Sequence, residues 1–283
     1  MTSEFRIGIV GGTGQLGSAI AHGLLRKQFI TPEQLWISSR SNNVTAFKSG
    51  EPSTGSAGSG AAIQFTTCNQ DLIDHCDVVI IAVPPPLLGA LNIKAESYKG
   101  LLISVIAGVT IEQLQHYTGA ERVIRAMTNP AAEKGLAYSP WCASSEVTTE
   151  DRQVALALFN AFGQTDEVTL EGQIDQFTAL IGPVPGFVAY YADCMVDYAV
   201  KAGIDPVIAE RAIRQLFHAS GVVLATAETS PADQVKAMIE YAGTTAAGLN
   251  AMQASPLADA IAEGLAAAYK KAQVISSADQ SGQ

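Results

Sequence analysis

Residues 5–17 read Phe5-Arg6-Ile7-Gly8-Ile9-Val10-Gly11-Gly12-Thr13-Gly14-Gln15-Leu16-Gly17. The first six are a short apolar run rich in β-branched side chains, the pattern of a buried strand. The glycines follow at once, and from Leu16 the positions Leu16, Ala19, Ile20, Gly23 and Leu24 recur at helical spacing, with Ser18, His22 and Arg26 on the other side. The order is therefore strand, glycine turn, helix. That is the context in which G-x-G-x-x-G, here Gly12 to Gly17, marks a dinucleotide site rather than an ordinary turn. Gly12 permits the tight turn, Gly14 lets the backbone approach a pyrophosphate, and Gly17 lets helix and strand pack closely. Thr13, Gln15 and Leu16 complete the cradle at the helix N-terminus, whose free amides and dipole favour an anion.

Working outward, Gln34 to Ser38 predicts a second strand ending in Ser38-Ser39-Arg40. An NAD enzyme would place an acidic residue there against the ribose hydroxyls. Two hydroxyls and a guanidinium suit a 2′-phosphate instead, so NADP(H) is preferred, with NAD(H) still possible if Arg40 is a solvated loop residue. Further strands are predicted at Ile63–Thr67, Asp77–Val83, Leu101–Ala107 and Arg122–Ala126. Pro84-Pro85-Pro86 stops the strongest of them, and Thr110 with Gln113 forms a capping box opening a helix. Strands alternating with helices at this spacing imply a doubly wound parallel sheet. Ser49 to Gly60 is nearly all small turn formers and reads as a loop that stays mobile. After Gln173 the texture changes and helical periods dominate from Gly186 to about Ala272, with Asp205-Pro206, Ser230-Pro231 and Ser255-Pro256 as helix starts. The expected organisation is residues 1–172 as a nucleotide-binding domain and 173–283 as a helical one.

Composition narrows the classes. The 283 residues carry 17 Lys and Arg against 27 Asp and Glu, a net charge of −10, which argues against a nucleic-acid or anionic-membrane partner and for a small-molecule ligand. No uninterrupted run of 18 apolar residues occurs and Met1 to Phe5 is not a leader, so a cytoplasmic protein is expected. Cys68, Cys76, Cys142 and Cys194 lack any CxxC spacing and read as reduced thiols rather than disulfides or metal ligands. Hydrophobic residues make up 48% and charged ones 16%, and the apolar surplus falls in helices such as Phe187–Lys201. That helix is apolar nearly all round, as a helix covered by a second subunit would be.

With these pieces placed, the chain resembles the pyrroline-5-carboxylate reductase family over nearly its full length. The resemblance rests on Ile7–Leu25, Asp77–Val83, Ser104–Val109, Arg125-Ala126-Met127-Thr128-Asn129, Asp175–Leu180, and Gly243-Thr244-Thr245 with Gly248-Leu249. It implies a Rossmann-type α/β domain followed by an all-α dimerisation domain, an interlocked homodimer, and NADPH-dependent reduction of the cyclic imine to L-proline. It implies Thr245 as the catalytic group that orients or relays a proton to the ring nitrogen, framed by Gly243 and Thr244. It also implies Val83, Pro84 and Pro85 against the cofactor, and Ala107, Gly108 and Asn129 along the nicotinamide. Two plainer readings stay open: Thr244 and Thr245 as helix caps, and Arg125 and Asn129 as structural hydrogen-bonding residues.

Departures from the family matter as much. Its Ser-Pro-Gly-Gly segment, which holds the substrate carboxylate, is here Glu240-Tyr241-Ala242-Gly243. Its serine-bearing entrance to the long helix is Ile181-Gly182-Pro183-Val184-Pro185-Gly186-Phe187. An inward Glu240 would repel a carboxylate, by about 4 kcal/mol at ~4 Å and an effective dielectric near ~20. Glu240 and Tyr241 are therefore the candidate substrate-binding residues, under alternative outcomes. In one, Tyr241 replaces the lost hydroxyl and proline synthesis is intact. In another, the substrate is a less acidic, or even cationic, imine or carbonyl recognised by Glu240; the seven-residue turn beginning Gly11-Gly12 supports instead an NADP-linked reductase of another substrate class on the same two-domain plan. In a third, the protein binds NADP(H) without turnover, as a sensor. Asp193 and Asp197 share a helix face and read as an interface or solvated pair, and Tyr190, Tyr191 and Tyr198 as packing. His22, His75, His116 and His218 show no metal-site spacing.

Overall fold

The computed structural model describes residues 5–40, 62–182 and 184–278. The Ser49–Gly60 loop and Pro183 lie outside the described residues. The chain divides into two compact units, Met1–Gly182 with Tyr269–Gln283, and Pro183–Ala268.

In the first unit, β1 (Ile7–Val10) runs into α1 (Gln15–Arg26), followed by β2 (Leu35–Ser38), β3 (Gln64–Thr66), α2 (Gln70–His75), β4 (Val78–Ile81), β5 (Leu101–Ser104), α3 (Ile111–Thr118) and β6 (Val123–Ala126). The chain continues through β7 (Ala137–Tyr138), β8 (Trp141–Ala143), α4 (Thr149–Asn160), β9 (Gly163–Gln164) and α5 (Gly172–Ile181). Each strand expected from sequence is present, trimmed at its ends. The main sheet has the order β3-β2-β1-β4-β5-β6-β8, all parallel except β8, which pairs antiparallel with β6. Strand order reverses between β1 and β4, so a crevice opens there at the carboxyl ends of the strands.

Burial on both faces explains why these strands read as unbroken apolar runs. In β4, Val78 and Ile80 pack into one core with Ile7, Ile20, Leu24 and Ile103, while Val79 and Ile81 pack into the other with Leu72, Leu88 and Leu114. The two-residue strand period thus divides four consecutive side chains between two layers, each worth about 1.5–3 kcal/mol when fully buried. α3 starts as its capping box requires, with the Thr110 side chain accepting from the Gln113 amide. Sequence reading missed α2, α4, α5 and the short β7, β8 and β9. The strands are too short to show a period, although Thr148 and Asp151 form a capping box at α4.

The second unit is helical: α6 (Val184–Lys201), α7 (Pro206–Thr226), α8 (Pro231–Glu240) and α9 (Thr244–Gln253), with α10 (Leu257–Ala278) continuing beyond it. Asp205 and Ser230 cap α7 and α8, with proline at the start of each helix. The contact division falls after Gly182 rather than after residue 172. The reason is that α5 is held to the sheet by buried Arg125, which ion-pairs with Glu171 at 3.1 Å and with Asp175. Within Gly172–Lys201 an 18-residue window reaches a mean hydropathy of 1.3, apolar and long enough by composition to cross a membrane, but the stretch comprises two helices, α5 and α6. Within one chain α6 is not buried: Tyr190 is 71% and Tyr198 78% exposed.

Candidate functional site

The crevice at the strand-order reversal has a volume of about 280 Å³ and is lined by Val10, Gly11, Thr13, Gly14, Ser39, Arg40, Asn69, Ala82, Val83, Pro84, Leu87, Ala90 and Leu91. Its floor is the glycine turn. A Cβ added at Gly17 would lie 2.5 Å from the Gly11 carbonyl oxygen and 2.8 Å from Gly12 Cα, so only glycine lets α1 close against the turn. A Cβ at Gly14 would meet only the Gly11 oxygen at 3.2 Å, leaving its outer side open for a ligand. Gly14 is the N-cap residue of α1 and supplies no side-chain cap. The first turn holds no acidic residue, so within the helix the amides of Gln15, Leu16 and Gly17 have no anionic side chain to meet. These features fit a bound pyrophosphate.

The end of β2 divides the three residues expected to choose the cofactor. Ser39 and Arg40 line the crevice. Ser38 does not: it is fully buried, and its hydroxyl donates to Asn69 Oδ1 at 2.7 Å. The side-chain alternation of the strand turns Ser38 inward, which corrects its assignment as a direct phosphate ligand to a support. Asn69 in turn donates through Nδ2 to the Leu91 carbonyl at 2.7 Å, tying β2 to the wall formed by Leu87 and Leu91. Asn69 escaped the sequence reading. Its only local signal was an asparagine opening a short helix after a strand.

Val83 and Pro84 line the crevice, whereas Pro85, the first residue of the 3-10 turn Pro85–Ala90, does not. Ala107, Gly108 and Asn129 lie farther along the same sheet edge, after β5 and β6, and are not part of this cavity. Gly108 has φ +76°, which bends the chain away from β5. Asn129 is half-buried and oriented by backbone alone: Oδ1 accepts from the Ala131 amide at 2.9 Å, and Nδ2 donates to the Ile181 carbonyl at 3.3 Å. Arg125 is a buried structural cation, 1% exposed in its side chain.

In the helical unit, Tyr241 and Thr245 line a cavity of about 520 Å³ together with Val223, Asp233, Gln234 and Met238. The turn between α8 and α9 sets this up. Ala242 has φ +68° and Gly243 φ +96°, ψ −159°, the latter a conformation open essentially to glycine alone. Gly243 is itself the N-cap of α9, with no side-chain cap. Thr244 and Thr245 thus stand inside the helix, which corrects the reading of either as its cap, and leaves the Thr245 hydroxyl at an exposed helix start. Glu240 does not line that cavity. It is 67% exposed in its side chain and lies 3.9 Å from Lys236 Nζ, one helical turn back on α8. Tyr241 is 91% exposed.

Among the described residues no group of three His, Cys, Asp or Glu side chains is placed to hold a metal ion. The four cysteines are free; burial, with help from Asp77 and Glu171 respectively, pushes the Cys76 and Cys142 thiols up to about 12, so both stay protonated.

Residues 171–275 match the family model for pyrroline-5-carboxylate reductase dimerisation, and residues 6–108 the model for NADP oxidoreductase, coenzyme F420-dependent. The chain is 30% identical over 259 residues to pyrroline-5-carboxylate reductase 2 of Bacillus subtilis, covering 90% of each chain. It is 26% identical to the pyrroline-5-carboxylate reductase of Synechocystis, covering 95% of this chain and 98% of the other. Among solved structures, the pyrroline carboxylate reductase of Plasmodium falciparum with NADP bound aligns with a TM-score of 0.80 at 23% identity, over 98% of this chain and 100% of that one. The enzyme of Streptococcus pyogenes aligns with a TM-score of 0.78 at 28% identity, over 96% and 99%.

Proposed function

The chain belongs to the pyrroline-5-carboxylate reductase family, and from that premise we propose that it reduces 1-pyrroline-5-carboxylate to L-proline with NADPH as donor. The observation that carries the reading is the crevice of the first unit, where the open face of Gly14 and the uncapped start of α1 offer an anion cradle beside Arg40.

NADPH, when bound, supplies the hydride that the imine carbon accepts. The chain's own residues bind and orient. The amides of Gln15, Leu16 and Gly17 hold the pyrophosphate, and Ser39 with Arg40 takes the 2′-phosphate, so NADPH is preferred over NADH. Ala107, Gly108 and Asn129 flank the nicotinamide side. The Thr245 hydroxyl orients the ring nitrogen, and Gly243 sets the backbone that presents it. No ionisable catalyst is needed, because the imine nitrogen is already basic and positioning supplies the advantage. The homo-oligomer is built on the helical domain, most simply as a homodimer. A cytoplasmic setting belongs to the same reading, on the strength of four free cysteines.

The substrate carboxylate would meet the exposed start of α9, whose amides take over from the absent serine, with Tyr241 OH as a further donor. A second reading, favoured by Glu240 at the position of that serine, is a less acidic cyclic imine. Steady-state rates with pyrroline-5-carboxylate, with uncharged pyrrolines, and with NADPH or NADH decide. Turnover of the carboxylated imine at rates ordinary for such reductases supports proline synthesis. Turnover confined to uncharged imines supports the second reading, and NADPH binding without reduction of any imine supports a sensor and removes both.

A further inference from the structure

The buried cation of the first unit has no part in the chemistry above, yet the groups around it are arranged along a line. Arg125 stands at the end of β6, its side chain 1% exposed, ion-paired to Glu171 Oε1 at 3.1 Å and to Asp175. Glu171 and Asp175 lie one helical turn apart, at the start of α5 (Gly172–Ile181). The same Glu171 Oε1 accepts from the Ile111 amide at 2.8 Å, at the start of α3. At the far end of α5, the Ile181 carbonyl has no partner within the helix ladder and accepts from Asn129 Nδ2 at 3.3 Å. Between the two ends, Met127 packs with Ile174 and Cys142 in a separate small core.

The lengths match. Four extended residues from Arg125 to Asn129 span about 13 Å, at ~3.3 Å per residue. The helix from the midpoint of Glu171 and Asp175 to Ile181 spans about 12 Å, at ~1.5 Å per residue. The strand exit therefore runs alongside α5, fastened at its start by charge, in its middle by packing and at its end by the Asn129 amide. Because Asn129 Oδ1 is also engaged by the Ala131 amide, one N–H of Nδ2 and one oxygen lone pair are left to face a ligand, in a direction that α5 dictates. Asn129 follows β6, on the half of the sheet edge beyond the order reversal, where the second nucleotide of a dinucleotide lies.

We propose that Arg125, Glu171 and Asp175 are positioning residues for the nicotinamide half of the cofactor: they fix α5 against the exit of β6 and thereby aim the Asn129 side-chain amide. The proposal rests on the dinucleotide reading of the crevice.

The test is a pair of ligand titrations on the full chain: NADPH, followed by its fluorescence, and adenosine 2′,5′-bisphosphate, followed by calorimetry. Asp175→Asn is expected to weaken NADPH about tenfold, as loss of a charge-assisted contact does, while the adenosine ligand stays within about twofold. Asn129→Ala should show the same split, and Asn129→Ala with Asp175→Asn should be no weaker than Asn129→Ala alone. Where Asp175→Asn does not fold by thermal melting, Glu171→Gln, which keeps an acceptor for Ile111, carries the same comparison. Equal weakening of both ligands, no change in either, or losses that multiply in the double variant would overturn the proposal. Wild-type protein that binds neither ligand would instead remove the dinucleotide reading, and the proposal with it.

Discussion

The two units of this chain treat the same kind of side chain in opposite ways. In the first, Ile7, Ile9, Leu35, Ile37 and Ile103 are fully buried between a sheet and its covering layers. In the second, Tyr190, Tyr198, Val207 and Ile208 on α6 and α7 are 71%, 78%, 63% and 58% exposed. A folded chain does not leave apolar surface of that extent in water without a use for it. The first unit completes its core from its own sequence, whereas the helical unit matches a dimerisation family and leaves its apolar face uncovered within one chain, as a homo-oligomer requires. Nucleotide binding and self-association should therefore be separable by mutation.

The largest effect should come from charge placed on the helical unit. Val207→Asp combined with Tyr198→Asp is expected to cost several kcal/mol of association and to leave a monomer without reductase activity, as read by sedimentation and by steady-state rate. Leu136→Asp, at a residue 76% exposed in the first unit, should change neither by more than about 0.5 kcal/mol. If both substitutions dissociate the protein equally, the contrast between the units is wrong.

Next is the glycine turn. Gly17→Ala forces a methyl to within 2.5 Å of a carbonyl oxygen and should weaken NADPH by about 1–3 kcal/mol, roughly five- to 150-fold, with the sedimentation profile unchanged. A shift in oligomer size would show that the units are coupled more tightly than their cores suggest.

Gly243→Ala tests the helical unit in the other direction. At φ +96°, ψ −159° a side chain costs about 1–3 kcal/mol, and the expected result is a fall in kcat/KM of about tenfold with NADPH affinity held. Loss of NADPH affinity would contradict the assignment of Thr245 to the substrate. Of comparable size is Arg40→Ala, predicted to weaken NADPH about tenfold and leave NADH alone, as removal of one guanidinium–phosphate contact does. Equal weakening of both nucleotides would assign Arg40 to the shared part of the cofactor.

How much of this was legible beforehand follows from the distance over which each signal acts. The strand at Val78–Ile81, the turn at Gly11–Gly17 and the cap at Thr110 are written within a few neighbouring residues, and their elements form where read. The inward turn of Ser38 onto Asn69 was not legible, because it joins side chains 31 positions apart. Nor was the place of Glu240: its substitution for a serine was plain, but that it sits beside Lys236 and off the cavity holding Tyr241 and Thr245 depends on where α8 ends. Arg125 could be read only as a structural residue at a strand end, since its partners lie 46 and 50 positions away.

By itself, then, the sequence determined the alternating parallel sheet, the glycine turn and the helical second half. These follow from side-chain periodicity, glycine stereochemistry and capping, all of which act along the chain, whereas the family follows from the resemblance of its motifs and from the relatives it matches. The tertiary structure alone decided which carboxylates neutralise Arg125, which way Asn129 points, and that Ser38 supports the crevice while Ser39 and Arg40 face it. Those outcomes depend on which distant segments pack together, and the cost of burying a polar group is settled only when its partner arrives.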